Sequence, residues 1–534
     1  MRPFLVSLLL GAVLVGAGAA SADPIHGTKG GDVLTGTPRA DRFASGPGND
    51  FVQAAFGGVD TVSCGGGRDV VSADLADRVA ADCEVVSRRL SVDLSTNPRS
   101  QHETAVEPDS FAWGSTVVAA FQLGRYEQGA ASNIGTAVST DAGRTWHRSV
   151  LPSLTVESAP PGPEASASDP TVAYDAVHGV WLVGTLALEP GSSHVLVSRS
   201  PDGLNWSSPV TVGTGPLLDK DWFACDNGAA SPHRGRCYAT YTDDAENVTV
   251  VQWSDDGGVT WSAPVDATST LVGTQPVIRP DGGLVVVAGD YNGAQGLTGS
   301  IAAVVSTDGG MTFTRVTVSD LHAHPNGGLR AIPLPSVTID PAGKLYAVWH
   351  DCRFRPACTA NDLVLATSTD GLAWTAPVQI PLAAGGVPVD AFLPAIVADP
   401  TAPAHLGLLY GHWQPGSCPS DCLLEIAFVS TTNGGQTWSV PQTLSTRPMQ
   451  LSWLARAVGG RMVGDYFSTS YAGGRFVPVF TLAGPPLKGR FHEAVFAASL
   501  PAHPRPVYGT ANSAASPRRV SPAPASTTTE ARAS

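Results

Sequence analysis

Six times along the chain the same turn recurs: "STDAGRTW" (Ser139 to Trp146), "SPDGLNW" (Ser200 to Trp206), "SDDGGVTW" (Ser254 to Trp261), "STDGGMTF" (Ser306 to Phe313), "STDGLAW" (Ser368 to Trp374) and "TTNGGQTW" (Thr431 to Trp438). Each copy follows an alternating apolar run, such as "HVLVSRS" or "IAAVVST", and leads into a short strand. The successive positions Asp141, Asp202, Asp256, Asp308, Asp370 and Asn433 lie 61, 54, 52, 62 and 63 residues apart. The side chains account for the motif as a hairpin turn. Ser and Asp bond to nearby backbone amides, Gly takes the positive-φ position, and the aromatic ring packs between sheets. With 15% charged residues, 58 Gly and 43 Pro, the composition suits many short strands joined by tight turns. Repeats of this length built from short strands read as propeller blades.

The turn resembles the Asp box, the S-x-D-x-G-x-T-W repeat of bacterial neuraminidases. The resemblance implies an all-β fold with a six- or seven-bladed β-propeller of the sialidase-superfamily kind over residues 85–499. Strand counting favours seven. After the last box, "GDYFSTSY", "RFVPVFTL" and "FHEAVFAAS" read as three strands without a box, and the early "CEVVSRRLSVDL" supplies a fourth by joining the two ends of the chain. In that family the boxes lie on the rim away from the active site, so their Asp and Trp residues are expected to be structural.

A shorter period runs over 23–84. Asp32, Asp41, Asp50, Asp60, Asp69 and Asp77 recur every eight to ten residues in segments such as "GTKGGDVLTG", "SGPGNDFVQ" and "GGGRDVV". These resemble the hemolysin-type (RTX) nonapeptide G-G-x-G-x-D-x-U-x, which implies a parallel β-roll holding calcium through Asp32, Asp41, Asp50, Asp60 and Asp69. Glycine lets the turn point carbonyl oxygens at a hard cation, and Asp adds charge. The apolar period Val33, Phe43, Phe51, Val62, Val70 and Val79 is expected to pack inside the roll; a Gly/Asp-rich flexible linker is the alternative. No organic cofactor is expected.

The ends and the cysteines speak to compartment. Arg2, the apolar run Phe4 to Val15 and Ala20-Ser21-Ala22 form a signal peptide over 1–22, with the mature chain starting at Asp23. Export is expected, and a monomer. Eight cysteines fall into near pairs, Cys64/Cys83, Cys225/Cys237, Cys352/Cys358 and Cys418/Cys422, so four loop-pinning disulfides outside the cytosol are the simplest pattern. Zinc is the alternative for Cys418 and Cys422. A formal charge of -14 excludes a nucleic-acid binder, which needs a basic face, and no second apolar stretch spans a membrane. The Pro/Ala/Ser/Thr-rich tail at 500–534 cannot bury a core and is expected to be disordered.

Candidate site residues come from the polar ends of first strands: Asp169, Asp219, Lys220, Asp221, Asp226, Asp243, Asp290, Tyr291, Arg330, Asp351, Arg353, Asp465 and Tyr466. The resemblance to sialidases implies three arginines on a substrate carboxylate, a Tyr nucleophile paired with Glu, and an Asp acid/base. An arginine fork suits a carboxylate because it binds bidentately. On that mapping Arg330, Arg353 and Arg461 are the arginines, Tyr466 the nucleophile with Glu493 as partner, and Asp221 the acid/base, with Asp351 beside Arg353. The family's F/Y-R-I-P start motif is absent; "NPRS" offers only Arg99 in another setting. Two functions therefore stand: an exo-glycosidase acting on extracellular glycans or glycoproteins, or a non-catalytic glycan- or protein-binding propeller. His322 and His324 in "LHAHP" lack a third ligand nearby and read as a solvated loop pair.

Overall fold

A computed structural model describes residues 23–293, 296–384, 387–414, 417–418 and 422–502. The expected signal peptide at 1–22 and most of the expected tail, 503–534, lie outside the described residues. At the expected start of the tail, Leu500–Pro501 is a strand pairing with Arg475 and Phe476. Among the described residues every regular element is a β-strand apart from two 3-10 turns, and no helix is long and apolar enough to cross a membrane.

The N-terminal segment is a β-solenoid, not a linker. Asp23–His26, Asp41–Ala44, Thr61–Ser63 and Arg78–Val79 form one parallel ladder; Val33–Thr35, Phe51–Gln53, Val70–Ala73 and Val85–Arg89 form the other. The residue two places after each Asp points inward: Phe43, Val52, Val62 and Val71 form the core, with Leu34 and Val79 packed on it. This corrects half of the expected apolar set. Val33 is 60% exposed, while Phe51 and Val70 face the other way, because strand side chains alternate. That outward set serves a second purpose. Val70, Val85 and Phe51 join a core cluster with Phe476, Phe480 and Phe496 of the last sheet.

The rest is built from antiparallel sheets in which sequential strands pair. Four sheets have four strands each, opening at Leu218–Cys225, Val272–Ile278, Ser336–Ile339 and Ala391–Ala398. Two sheets have eight. In one, a single pairing of Ala131 with Ala167 fuses the first two box-containing units. In the other, Val85–Arg89 pairs with Arg490–Ala498, so one ladder of the solenoid and the last four strands share one sheet. The expected six- or seven-bladed propeller is thereby corrected: the all-β fold consists of a solenoid of about four turns and several separate sheets of unequal size. The physical reason is that a box specifies one hairpin, whereas the extent of a sheet depends on pairing between strands remote in sequence.

The boxes themselves form as read. In the third, Asp256 Oδ1 accepts from Ser254 Oγ (2.8 Å) and the amides of Val259 and Thr260 (2.9 Å each), while Thr260 Oγ1 donates to Oδ2 at 2.6 Å. Amide donation from Asn205 leads the interactions that hold the Asp202 carboxyl down to about 2. Asn433 keeps the pattern, its Oδ1 accepting from Thr431 Oγ1 and the Thr437 amide. Asp256→Asn is therefore expected to leave stability within about 1 kcal/mol, whereas Asp256→Ala, which strands several donors, loses about 1–3 kcal/mol in urea denaturation. All four expected disulfides are present, which removes the zinc alternative for Cys418 and Cys422.

Candidate functional site

The opening strands carry a repeated irregularity. Glu107, Asp169, Lys220 and Leu393 all have positive φ (52°, 45°, 54° and 52°), as does Gly273 at 72°. Each lies at or beside a register shift against the following strand. A non-glycine residue in this region costs of order 1–3 kcal/mol, so the surrounding sheets must hold it there. A bulge turns a strand and re-aims its side chains. Ala105–Trp113 packs beside Ser166–Asp175, which packs beside Leu218–Cys225, and Ser468–Ala472 packs against the first of these.

Their bulged residues meet in one buried cluster. Lys220 Nζ lies 2.8 Å from Asp465 Oδ2, 3.4 Å from Asp169 Oδ1 and 4.0 Å from Glu107 Oε1. Arg330 reaches the same Asp465 oxygen from a loop, with Nη2 at 2.6 Å. Its side chain is 29% exposed, while the other four residues are buried, so Arg330 is the cluster's face to solvent. Behind Glu107, Gln122 donates to its Oε2 and to Ser168 Oγ (3.0 Å), and fully buried Arg125 donates to Gln122 Oε1 at 2.8 Å. Trp222, Gln275, Leu334, Ser336, Leu393 and Tyr466 are among the walls of a cleft that reaches Asp465.

Burial sets the protonation. It drives the Glu107 and Asp219 carboxyls up to about 7 against the opposing pull of Lys220, and Asp109 up to about 6. Burial also lifts Asp221 well above the usual carboxylate range; both its oxygens lack a partner. Burial acts on Asp465 in the same direction, but Lys220 and Arg330 outweigh it and hold that carboxyl low. Lys220 keeps its proton because the surrounding carboxylates overcome its desolvation. Burial, then Glu107, pushes the Tyr466 hydroxyl up.

Of the expected catalytic set, Arg330, Asp221 and Tyr466 belong to this neighbourhood. Asp351 and Arg353 form their own pair, with Arg353 Nε 2.9 Å from Asp351 Oδ1 and Nη2 2.7 Å from Oδ2, beside the Cys352–Cys358 bond. Arg353 also donates to Ser319 Oγ and the Asp320 carbonyl. Arg461 pairs its backbone with Gly328 and Arg330 and spends its guanidinium on the Leu454 carbonyl. Three arginines therefore do not converge. Tyr466 donates to the Pro170 carbonyl at 3.1 Å, and Glu493 accepts from the Ala455 amide instead of meeting it. Glu107, Gln122 and Arg125 are absent from the sequence candidates. A signal for the first existed, since Glu107-Pro108 repeats Asp169-Pro170 at the same point of an opening strand.

In the solenoid the aspartates stack. Asp50 Oδ1 accepts from the Asp32 amide, Asp60 from Asp41, Asp69 from Asp50 and Asp77 from Asp60, each at 2.8–2.9 Å. The second oxygens of Asp50, Asp60 and Asp69 are buried without a partner, which suits a hard cation. Among the described residues no three His, Cys, Asp or Glu side chains converge as a ligand set, so backbone carbonyls of the glycine turns would complete any such site. The His322/His324 pair is no exception. The His324 amide donates to Asn361 Oδ1, and the His322 amide to Asp351 Oδ2.

Comparison with known proteins finds a family match over one stretch of the sequence. Residues 187–384, which carry Lys220, Asp221, Arg330 and four of the boxes, match the family model of the BNR repeat-like domain. A sialidase of Bacteroides fragilis is 27% identical over 210 residues, 34% of this chain and 37% of the relative, so the match spans little more than a third of that protein's length. Among solved structures, a Hadza microbial sialidase is 18% identical over 57% of this chain and 63% of its own (TM-score 0.41). The leech intramolecular trans-sialidase is 14% identical over 76% and 68% (TM-score 0.38). Residues 187–384 are thus similar to the BNR repeat-like domain, and a sialidase is among the proteins the chain resembles.

Proposed function

We propose that this chain is a glycan-directed protein of the sialidase-like kind whose site is the cluster around Lys220, Arg330 and Asp465, and that it recognises an anionic sugar. The observation that carries the reading is that part-exposed Arg330 and buried Lys220 share Asp465 Oδ2, and that a cleft walled by Trp222 and Tyr466 reaches Asp465. The repeat-like domain and the sialidase relative support the substrate class. Export to an oxidising compartment and action as a monomer belong to the same proposal, and the four disulfides favour the former.

The engaged Tyr466 hydroxyl and the separated arginines favour binding over covalent glycosidase chemistry. The test is 3′-sialyllactose binding together with turnover of a fluorogenic sialoside. Arg330→Gln is expected to weaken binding about tenfold or more, since it removes a charge-assisted contact. Tyr466→Phe is expected to leave binding intact. Affinity should rise as pH falls from about 8 to about 6, because protonation of Glu107 and Asp219 removes negative charge beside the two cations. Absence of sialoside binding, or binding indifferent to Arg330, sinks the reading; turnover abolished by Tyr466→Phe shifts it to an exo-glycosidase.

Calcium is proposed for the solenoid, held by Asp32, Asp41, Asp50, Asp60 and Asp69 with turn carbonyls. Bound there, it would neutralise the stacked carboxylates. A hundredfold excess over Kd stabilises by about 2.7 kcal/mol, so thermal unfolding should move upward with calcium and downward with EGTA. Identical melting in both removes calcium from the account.

A further inference from the structure

A cavity of about 230 Å³ lies between the solenoid and the last sheet, and it shares no lining residue with the cluster around Lys220. Its walls include Gln53, Phe56 and Ser72 of the solenoid, Arg447 of the preceding loop, and Gly484 and His492 of the sheet. Arg447 has no hydrogen bond or ion pair among the described residues. Its guanidinium lies 4.9 Å over the Trp453 ring, and burial lowers its pKa with no nearby carboxylate opposing the shift. Neighbouring arginines differ. Arg89 holds Asp74 at 2.5 Å, Arg88 donates to two carbonyls, and Arg461 to one. A half-buried cation without a counter-ion is costly unless something anionic joins it.

The rest of the cavity supplies neutral polar groups. Gln53 Nε2 stands 3.5 Å from the Thr446 carbonyl, at the limit of a hydrogen bond, and Ser72 Oγ lies 3.4 Å from Thr446 Oγ1. Both retain capacity for a better partner. The His492 ring stacks on Phe56 at 5.3 Å, and Met449, Leu482 and Phe496 provide apolar wall. Gly484 keeps the space open. Its φ is not left-handed, so its lack of a side chain matters for room, and an added Cβ would stand 3.3 Å from Arg447 Nη2.

We propose that this cavity is a second binding site, for a small hydroxylated carboxylate of the sugar-acid class, in which Arg447 takes the carboxylate and Gln53, Ser72 and Thr446 take hydroxyls. An arginine fork matches a carboxylate bidentately, and a cavity of about 230 Å³, below the range for drug-sized ligands, limits the ligand to about one ring. The site is independent of the cluster around Arg330.

The experiment is ligand-observed NMR titration of the full chain with D-glucuronate and, in parallel, with D-glucose. With saturating 3′-sialyllactose present to occupy the cluster around Arg330, the wild type should still bind glucuronate and should not bind glucose. Arg447→Gln should weaken binding about tenfold or more. Gly484→Leu keeps the charge and fills the space, and should abolish binding; it serves as the second probe if Arg447→Gln melts early. The proposal is overturned by absence of glucuronate binding, by equal binding of glucose, by binding retained in both cavity variants, or by binding lost when 3′-sialyllactose is present.

Discussion

Lys220→Met is expected to lower stability by about 3–5 kcal/mol, measured from the urea midpoint at unchanged m, because it leaves buried carboxylates without their cation. Lys220 is 6% exposed and touches Asp465, Asp169 and Glu107 at once. Asp465 would keep Arg330, whereas Asp169 and Glu107 would lose the nearby ammonium. The double variant Lys220→Met/Asp169→Asn should recover part of the loss, which a cycle of single and double variants measures. The pH dependence has a definite sign. Glu107 and Asp219 titrate near 7 in the fold and in the ordinary carboxylate range when unfolded. The native state then binds more protons between about 4 and 7, so these two groups lose stability as pH rises through that window. Asp465 acts oppositely, its contribution being lost as pH falls below the ordinary carboxylate range. In Lys220→Met the two raised carboxyls lose an opposing cation, so the fall toward pH 7 should steepen. A loss under about 1 kcal/mol with an unchanged pH slope would mean the cluster is neutral as a whole.

Phe496→Ala should cost about 3–5 kcal/mol, the usual range for emptying a fully buried aromatic site. Phe496 is completely buried in the cluster that also holds Val70 and Val85 of the solenoid and Phe476 and Phe480 of the last sheet. Its ring lies 6.1 Å from Phe56, and its backbone is paired with Arg89. The residue therefore joins two consequences, the loss of core and the loosening of the solenoid's seat. Thermal melting reports the first. Limited proteolysis reports the second, with new cleavage expected in 90–104, where Leu94 is 82% exposed. A drop below about 1 kcal/mol without new cleavage would show that the strand pairing alone holds the solenoid.

Local structure was readable because its causes are local. Each box is closed by hydrogen bonds spanning two to four residues, so Ser254, Asp256 and Thr260 can be assigned from spacing alone. The disulfides join cysteines 4 to 19 residues apart, and near-neighbour pairing was enough to name them. The solenoid's period was visible too, but its inward face was half misassigned. Phe51 and Val70 are apolar because they pack against the last sheet, which spacing within 23–84 does not encode, while Val33 is exposed.

By itself, then, the sequence determined an all-β chain of repeated hairpin turns with a stacked Asp ladder and four short disulfide loops. Tertiary structure decided how many strands each sheet contains, since a pairing as small as Ala131 with Ala167 joins two units into one. It also decided the site. Glu107 and Asp465 are 358 residues apart, and only the packing of bulged opening strands brings both to Lys220. Asp351 and Arg353 looked equally suitable in the sequence, yet they satisfy each other beside a disulfide. The difference is one of range. Turns and short loops are settled by bonds a few residues long, whereas a charged cluster exists only where distant strands pay its desolvation together.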